Sequence, residues 1–445
     1  MSRLNDILND YAAKNPVRFH MPGNKGKLNF GINISTDVTE LAFTDNLYNP
    51  DADTGIIHEL ENKIAECFFP ELNNINSVIS CGGATLCIQA AILSLLRINA
   101  YNGKYLICDR LSHISLINTL ALLNVTPLWV YDTDIENNIG DYSETYGSEI
   151  IGVFMTSPDY YGIIKDINAI SDICKKYSLP LIVDNSHGSH LAFHNNGELH
   201  PINKGADISI DSVHKTLPAL TGAAILHTAK KFDKEMLRSS MRVFASTSPS
   251  FLILQSVEFM LEYLTAHGRD EHRILLDNIN YFKNEAENIG FRFDYFSTEP
   301  YRIILNLNAD IGGKFLYEYL CSENIICEFY DAENVVIIPS VFNSDANFIA
   351  LLDALKKIAG KYQFCSQPYT KTIKAIKANT VLNLSQVLKL PRKKILAADA
   401  AGKISAEAIA VYPPGVPIVL PGEAIAENNI GEIKQMREYI EVIDG

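Results

Sequence analysis

Between residues 77 and 228 the chain repeats one alternation, a short apolar run rich in β-formers followed by a stretch of helical periodicity, and few architectures accept that order. The runs fall at 77–80, 104–108, 127–131, 150–156, 180–184, 207–211 and 222–228. Strands alternating with helices predict an α/β domain built on a mostly parallel, doubly wound, seven-stranded sheet covered by helices on both faces. Ligands of such sheets sit beyond the carboxyl ends of the strands. The polar residues that follow each run are therefore the first place to look for chemistry.

A chain of 445 residues exceeds one small domain. A helix is expected over 250–267 as a connector leaving the large domain. Strand-like 301–307 and helical 350–358 then predict a smaller α+β domain. The division expected is an N-terminal arm at 1–30, a large domain at 31–267, a small domain at 268–365 and a C-terminal domain at 366–445. The last holds a lysine-rich stretch and the proline-rich VYPPGVPIVLPGE.

No apolar run approaches the roughly 20 residues that span a bilayer, and the first residues lack the apolar core of a secretion signal, which predicts a cytoplasmic protein. The eight cysteines form no CxxC pair, so neither a zinc knuckle nor a dithiol motif is written here and no metal is expected. A net charge of −14 argues against nucleic-acid partners, whose affinity comes mainly from Lys and Arg. It slightly favours cationic small molecules.

Four strand ends carry candidate chemistry. In ADISIDSVHKT (206–216) a strand ends in Ser212, His214 and Lys215. A lysine desolvated there becomes an amine nucleophile able to condense with an aldehyde, although a solvated loop lysine is the ordinary reading. In PLIVDNSHGSH (180–190) an apolar strand ends in Asp184, with His187 three residues on. A carboxylate so placed can hold a pyridine nitrogen protonated; alternatively Asp184 and the two histidines bind a metal, or Asp184 caps a helix. In SCGGATLCIQAAILSLL (80–96) glycines open an apolar helix, and free N–H groups at Gly83, Ala84 and Thr85 form a phosphate cup at its positive end. Neither GxGxxG nor a P-loop is present. In RLSHISLINTLALL (110–123) His113 could stack on a flat cofactor or simply cap the helix.

With RFHMPGNKG (18–26), DVTEL (37–41), TSPDYYG (156–162), DSVHKTLPALTG (211–222), STSPS (246–250) and YPPGVPIVLPGE (412–423), the chain resembles the ornithine/lysine/arginine decarboxylases, which have the aspartate-aminotransferase fold and use pyridoxal 5'-phosphate. The resemblance implies that Lys215 is the Schiff-base lysine, that Asp184 pairs with the pyridinium nitrogen and that His113 stacks on the ring. His187 is then near the imine, Ser212 and His214 belong to the phosphate and lysine surroundings, and Thr247 reaches the phosphate bound by a neighbouring subunit. A homodimer with interfacial sites follows. The chain starts at the HMPG region without the receiver-like domain of longer members, so a dimer or at most a tetramer is expected.

Departures from the family pattern are Asn24 for a histidine, DNSHGSH for DEAHGAH, and Gly83 and Ala84 where hydroxyl side chains are common. Ser186 is expected to set its hydroxyl against the ring. The implied reaction is decarboxylation of arginine, lysine or ornithine to the amine, a step of polyamine biosynthesis, with Lys215 or His187 returning a proton and Glu423 as the acidic contact for the substrate's cationic end. Rival readings are an aminotransferase or another lyase, which usually grips the α-carboxylate with an arginine such as Arg242 or Arg302, and a cofactor-binding protein without catalysis.

Overall fold

The computed structural model describes residues 3–27, 55–99, 102–131, 134–229, 232–293, 299–306, 311–359, 361–362, 379–411 and 416–444. The DVTEL segment, residues 412–415 of the proline-rich segment and the part of the C-terminal region before 379 lie outside them.

Seven strands form the central sheet: β1 (Ile75–Ser80), β2 (Tyr105–Asp109), β3 (Thr126–Val130), β4 (Ile150–Thr156), β5 (Leu181–Asp184), β6 (Ile208–Asp211) and β7 (Ala224–Ala229). Their spatial order is β1-β7-β6-β5-β4-β2-β3. Strand residues alternate between two cores. Leu106, Cys108, Phe154 and Ile182 join one cluster, while Ile107, Val153, Met155, Leu181 and Val183 join the other. Both faces are thus covered, which is why these strands read as near-continuous Val, Ile and Leu runs. Full burial of each such side chain contributes roughly 1.5–3 kcal/mol.

The covering helices are α1 (Gly83–Ile98), α2 (Ile114–Leu123), α3 (Ile135–Tyr146), α4 (Ile167–Lys176), α5 (Lys234–Phe244) and α6 (Phe251–Asn288). Local chemistry starts several of them. The Asp166 side chain accepts from the Ala169 N–H at the head of α4, and His113 accepts from the Ser115 N–H at the head of α2. Asn124 ends α2 in the left-handed conformation at φ 54°.

The sheet is mostly parallel, as expected, with one antiparallel strand, and one helix differs from the sequence expectation. Strand β7 runs antiparallel to both β6 and β1, in an otherwise parallel sheet. The 212–223 connection turns back without a helix, and a parallel return needs a longer crossover. The helix expected to end at 267 runs on to Asn288 as one 38-residue element. Within it, a Cβ on Gly268 would stand 2.9 Å from the Phe193 ring, so the glycine allows α6 to press against that ring.

Beyond α6, strands Ile303–Asn306, Phe329–Tyr330 and Asn334–Ile337 make an antiparallel sheet backed by helices Gly312–Ser322 and Asp345–Ala359. The N-terminal strand Val17–Phe19 pairs in parallel with Ile325–Cys327, so the arm is built into this smaller unit. Near the C-terminus, Arg392–Leu396 pairs with Tyr439–Ile443 around a core of Ile409, Val419, Ile433 and Ile440. The seven described cysteines are free thiols. No helix among the described residues is long and apolar enough to cross a membrane.

Candidate active site

Register brings the carboxyl ends of neighbouring strands level. Thr156 of β4 stands opposite Asp184 of β5, which stands opposite Ile210 of β6. Beyond these ends lies a cavity of about 330 Å³. Gly83, Ala84 and Thr85 line it from the β1–α1 turn, and His113 from the β2–α2 turn. Asp184 and His187 follow β5, and Ser212, His214 and Lys215 follow β6. Nine residues from four separate stretches of sequence line one cavity.

Lys215 is fixed by a tight turn in which its N–H donates to the Ser212 carbonyl at 3.0 Å. Its Nζ lies 3.0 Å from His187 Nε2. Desolvation pulls the amine below the ordinary lysine value, Asp184 opposing and Arg302 assisting. Burial likewise pushes His187 well below an ordinary histidine, with Lys215 and Arg302 adding to the effect, so its imidazole is neutral. His187 Nδ1 is buried without a hydrogen-bond partner among the described residues. A neutral imidazole against a desolvated amine is a pair between which a proton can move.

Asp184 is 4% exposed and accepts from the Ser186 N–H at 3.1 Å and the Ser186 hydroxyl at 2.5 Å. The Ser186 hydroxyl is thereby turned to the carboxylate, and Ser186 lines the same cavity. His113 is both a helix cap and a cavity residue. Its Nδ1 accepts from the Ser115 N–H at 3.2 Å, which leaves the proton on Nε2 in the neutral ring, and burial lowers its pKa. His214 Nδ1 donates to the Ala223 carbonyl at 2.9 Å, which fixes its orientation.

The phosphate cup needs one correction. The Gly83 N–H is not free, since it donates to the Gly222 carbonyl at 2.8 Å and ties the β1–α1 turn to the loop after Lys215. Ala84 and Thr85 stand in the first turn of α1, where N–H groups have no acceptor within the helix. Neither family departure at an asparagine reaches the cavity: Asn24 Oδ1 accepts from the Gly26 N–H, and Asn185 Nδ2 donates to Asp211 Oδ1 at 3.0 Å.

Two residues stand elsewhere. Thr247 is exposed in the loop after α5 and does not line the cavity of its own chain. Glu423 does not line it either. It is 2% exposed, its carboxylate pairs with Arg110 at 3.0 Å and accepts the Leu420 N–H at 2.7 Å. The sequence placed Glu423 at the substrate because its segment resembles a substrate-side loop, yet here it joins the C-terminal unit to the large domain. Glu423→Ala leaves Arg110 buried and unpaired, and is expected to lower stability by about 3–5 kcal/mol in a denaturant titration.

The metal alternative does not assemble. His187 faces Lys215, whereas His190 Nε2 lies against Glu299 at 3.1 Å. A different buried trio, His200, Asp211 and His227, has ligand-like spacing. There the Ile202 N–H donates to His200 Nδ1, so in the neutral ring the proton sits on Nε2, which donates to Asp211 at 3.0 Å. That geometry is a hydrogen-bonded core.

The sequence reading did not single out Asp159, Tyr160 and Thr156 as cavity residues, although all three line it. Their signal was the position of TSPDYYG directly at the end of β4. Tyr160 packs edge-on to His187 at 4.7 Å between ring centres, and its hydroxyl donates to Glu328. Arg302 lies behind this wall at 1% exposure, held by Glu299 at 3.3 Å, the Tyr160 carbonyl at 3.4 Å and the His187 carbonyl at 3.3 Å. Arg242 is exposed on the last turn of α5.

Residues 3–300 match the family model described as Orn/Lys/Arg decarboxylase, major domain, and residues 367–444 match that of the C-terminal domain of the same family. An arginine decarboxylase of Bacillus subtilis (strain 168) is 27% identical, across 96% of this chain and 91% of its own. Among solved structures, the Francisella novicida lysine decarboxylase superposes with a TM-score of 0.72 at 17% identity, over 92% of this chain and 74% of that one. The Escherichia coli constitutive lysine decarboxylase gives 0.71 at 16% identity, over 92% and 75%. These two structural likenesses speak to the fold.

Proposed function

The chain belongs to the Orn/Lys/Arg decarboxylase family, and from that premise we propose that it removes the α-carboxylate of a basic amino acid with pyridoxal 5'-phosphate held by Lys215. The observation that carries the reading is the desolvated Lys215 amine, 3.0 Å from a neutral His187 and in the field of Asp184, at the floor of a cavity. The donor set fits the cofactor. Lys215 supplies the amine for its aldehyde, Asp184 a carboxylate for its ring nitrogen and His113 an imidazole for its face. Ala84, Thr85, Ser212 and His214 supply donors for its phosphate. When bound, the cofactor supplies the electron sink that a departing carboxylate needs.

The chain's own groups do the rest. Asp184, held by two Ser186 hydrogen bonds, would offer its carboxylate to the protonated ring nitrogen of the bound cofactor. His187 and Lys215 hold a mobile proton within 3.0 Å of one another, beside the position where the substrate's α-carbon must be reprotonated. Tyr160, braced by Glu328, keeps His187 in place from the outer side.

The aminotransferase reading loses its anchor. Among the described residues lining the cavity there is no arginine, and Arg302 spends its donors on Glu299 and two carbonyls. We read Thr247 as reaching the cofactor phosphate of a neighbouring subunit in a homodimer, which its exposure beyond α5 supports. Purified protein with added pyridoxal phosphate is expected to release carbon dioxide and the matching amine from arginine, lysine or ornithine. Keto acid formation without carbon dioxide would overturn the reading.

A further inference from the structure

The His187 imidazole and the Lys215 amine stand on two short turns. One backbone bond closes each turn, the Gly188 N–H donating to the Asn185 carbonyl at 2.8 Å and the Lys215 N–H to the Ser212 carbonyl at 3.0 Å. The 3.0 Å between His187 Nε2 and Lys215 Nζ therefore depends on how the roots of the two turns are fixed to one another.

Those roots are Asn185, directly after β5, and Asp211, the last residue of β6, and both are fully buried. The Asn185 N–H donates to the Ile210 carbonyl at 2.9 Å, and its side-chain Nδ2 donates to Asp211 Oδ1 at 3.0 Å. Asp211 is itself held, accepting from the Ser209 hydroxyl at Oδ1, 2.7 Å away, and from His200 Nε2 at Oδ2, 3.0 Å away. Burial pushes the Asp211 carboxyl up, but His200, His227 and the Asn185 amide outweigh it and hold the group below the ordinary aspartate value. An ionised acceptor thus meets an amide donor.

The turn that carries His187 also closes tightly over the Asn185 side chain. A Cβ on Gly188 would stand 2.2 Å from Asn185 Oδ1, so a glycine there leaves the amide its room. Chemistry gives the DNSHGSH departure a reason. The family pattern has a glutamate at position 185, which would bring a second carboxylate toward buried Asp211, where like charges repel with little screening. Asparagine brings a donor instead.

We infer that Asn185 and Asp211 are positioning residues, a hydrogen-bonded latch between the ends of β5 and β6 that sets His187 against the Lys215 amine. Neither residue touches the cavity; both act through His187. The inference rests on the proposed cofactor chemistry for its readouts. A misplacement of about 1 Å in a reacting group can cost on the order of 100-fold in rate, so a latch remote from the cavity matters to turnover.

The test is a pH titration of the visible absorbance of bound pyridoxal phosphate, with steady-state kinetics and melting temperature, on wild type, Asn185→Leu and the exchange variant Asn185→Asp/Asp211→Asn. Leucine keeps the shape of asparagine and removes the donor, while Asp211 retains its Ser209 and His200 bonds. The exchange variant reforms the bond with its direction reversed and leaves an oxygen for His200. In Asn185→Leu the absorbance midpoint is expected to move by about one pH unit, and kcat to fall roughly 10- to 100-fold while KM stays within about threefold. In the exchange variant the midpoint returns and kcat recovers to within about threefold of wild type. In a His187→Ala background, Asn185→Leu lowers kcat no further, because the group it positions is gone.

A change in melting temperature alone overturns the inference. So does a folded exchange variant that recovers neither midpoint nor kcat, or a loss in Asn185→Leu that adds in full to that of His187→Ala. Where the exchange variant does not melt cooperatively, the cycle with His187→Ala decides by the same criterion. A midpoint that moves in Asn185→Leu and returns in the exchange variant, in a protein that releases no carbon dioxide, overturns the decarboxylase reading and leaves the latch standing.

Discussion

Lys215→Ala is expected to abolish carbon dioxide release, with kcat lower by roughly three orders of magnitude or more, and to remove the visible absorbance of protein-bound pyridoxal phosphate. The loss follows from geometry that no neighbour can replace. The amine stands at the end of β6, 3.0 Å from His187 Nε2, and the next lysine in the fold with a depressed pKa near this region, Lys25, spends its ammonium on the His20 and Ile338 carbonyls. The effect is separable from unfolding. Desolvation lowers the Lys215 pKa in the folded state, so the unfolded chain binds more protons between that value and the ordinary lysine value. The cofactor-free protein therefore gains stability from Lys215 as pH rises through that window. Removing the amine removes this dependence, and the cofactor-free variant should melt no lower than the wild type at neutral pH. A variant that melts normally yet keeps turnover would sink the assignment of Lys215.

Much of this was legible from pattern alone, because each strand of the central sheet is buried on both faces and so must be written as an apolar run. Period-2 alternation cannot be seen in such runs, yet their spacing and the polar residues that end them place Asp184, His113 and Lys215 at one edge. What the pattern left open lies in contacts between segments far apart in sequence. The antiparallel course of β7 depends on how 212–223 turns, and the loss of the free Gly83 N–H depends on that loop returning to α1. Both are tertiary facts about a single loop.

Glu423 and Asp159 illustrate the same limit from opposite sides. Each is an acidic residue in a recognisable motif, and nothing local says which one meets an arginine. Arg110, at the end of β2, pairs with Glu423 and donates to the Pro417 carbonyl, whereas Asp159 lines the Lys215 cavity. Residue type says that a carboxylate is available; only packing decides which carboxylate joins two units and which lines the cavity. The continuation of α6 past 267 has a similar cause. Gly268 lies inside the helix, where its lack of a side chain accommodates the Phe193 ring.

Asp184→Asn is expected to lower kcat by roughly 10²–10³-fold while KM and the melting temperature of the cofactor-free protein change little. The substitution is nearly isosteric, and an amide oxygen can still accept from the Ser186 N–H and hydroxyl. What disappears is the negative charge, in a place where the carboxylate is 4% exposed and weakly screened. If the carboxylate holds the proton on the cofactor's ring nitrogen, as proposed, a neutral amide would not replace it, and carbon dioxide release would slow while ground-state contacts persist. Ser186→Ala separates this from mere positioning: it removes the hydroxyl at 2.5 Å and leaves the charge, so it should cost much less than Asp184→Asn. Equal losses in the two variants would mean that the Ser186 hydroxyl, by orienting the carboxylate, matters as much as the charge itself, and a kcat for Asp184→Asn within tenfold of wild type would remove Asp184 from the chemistry.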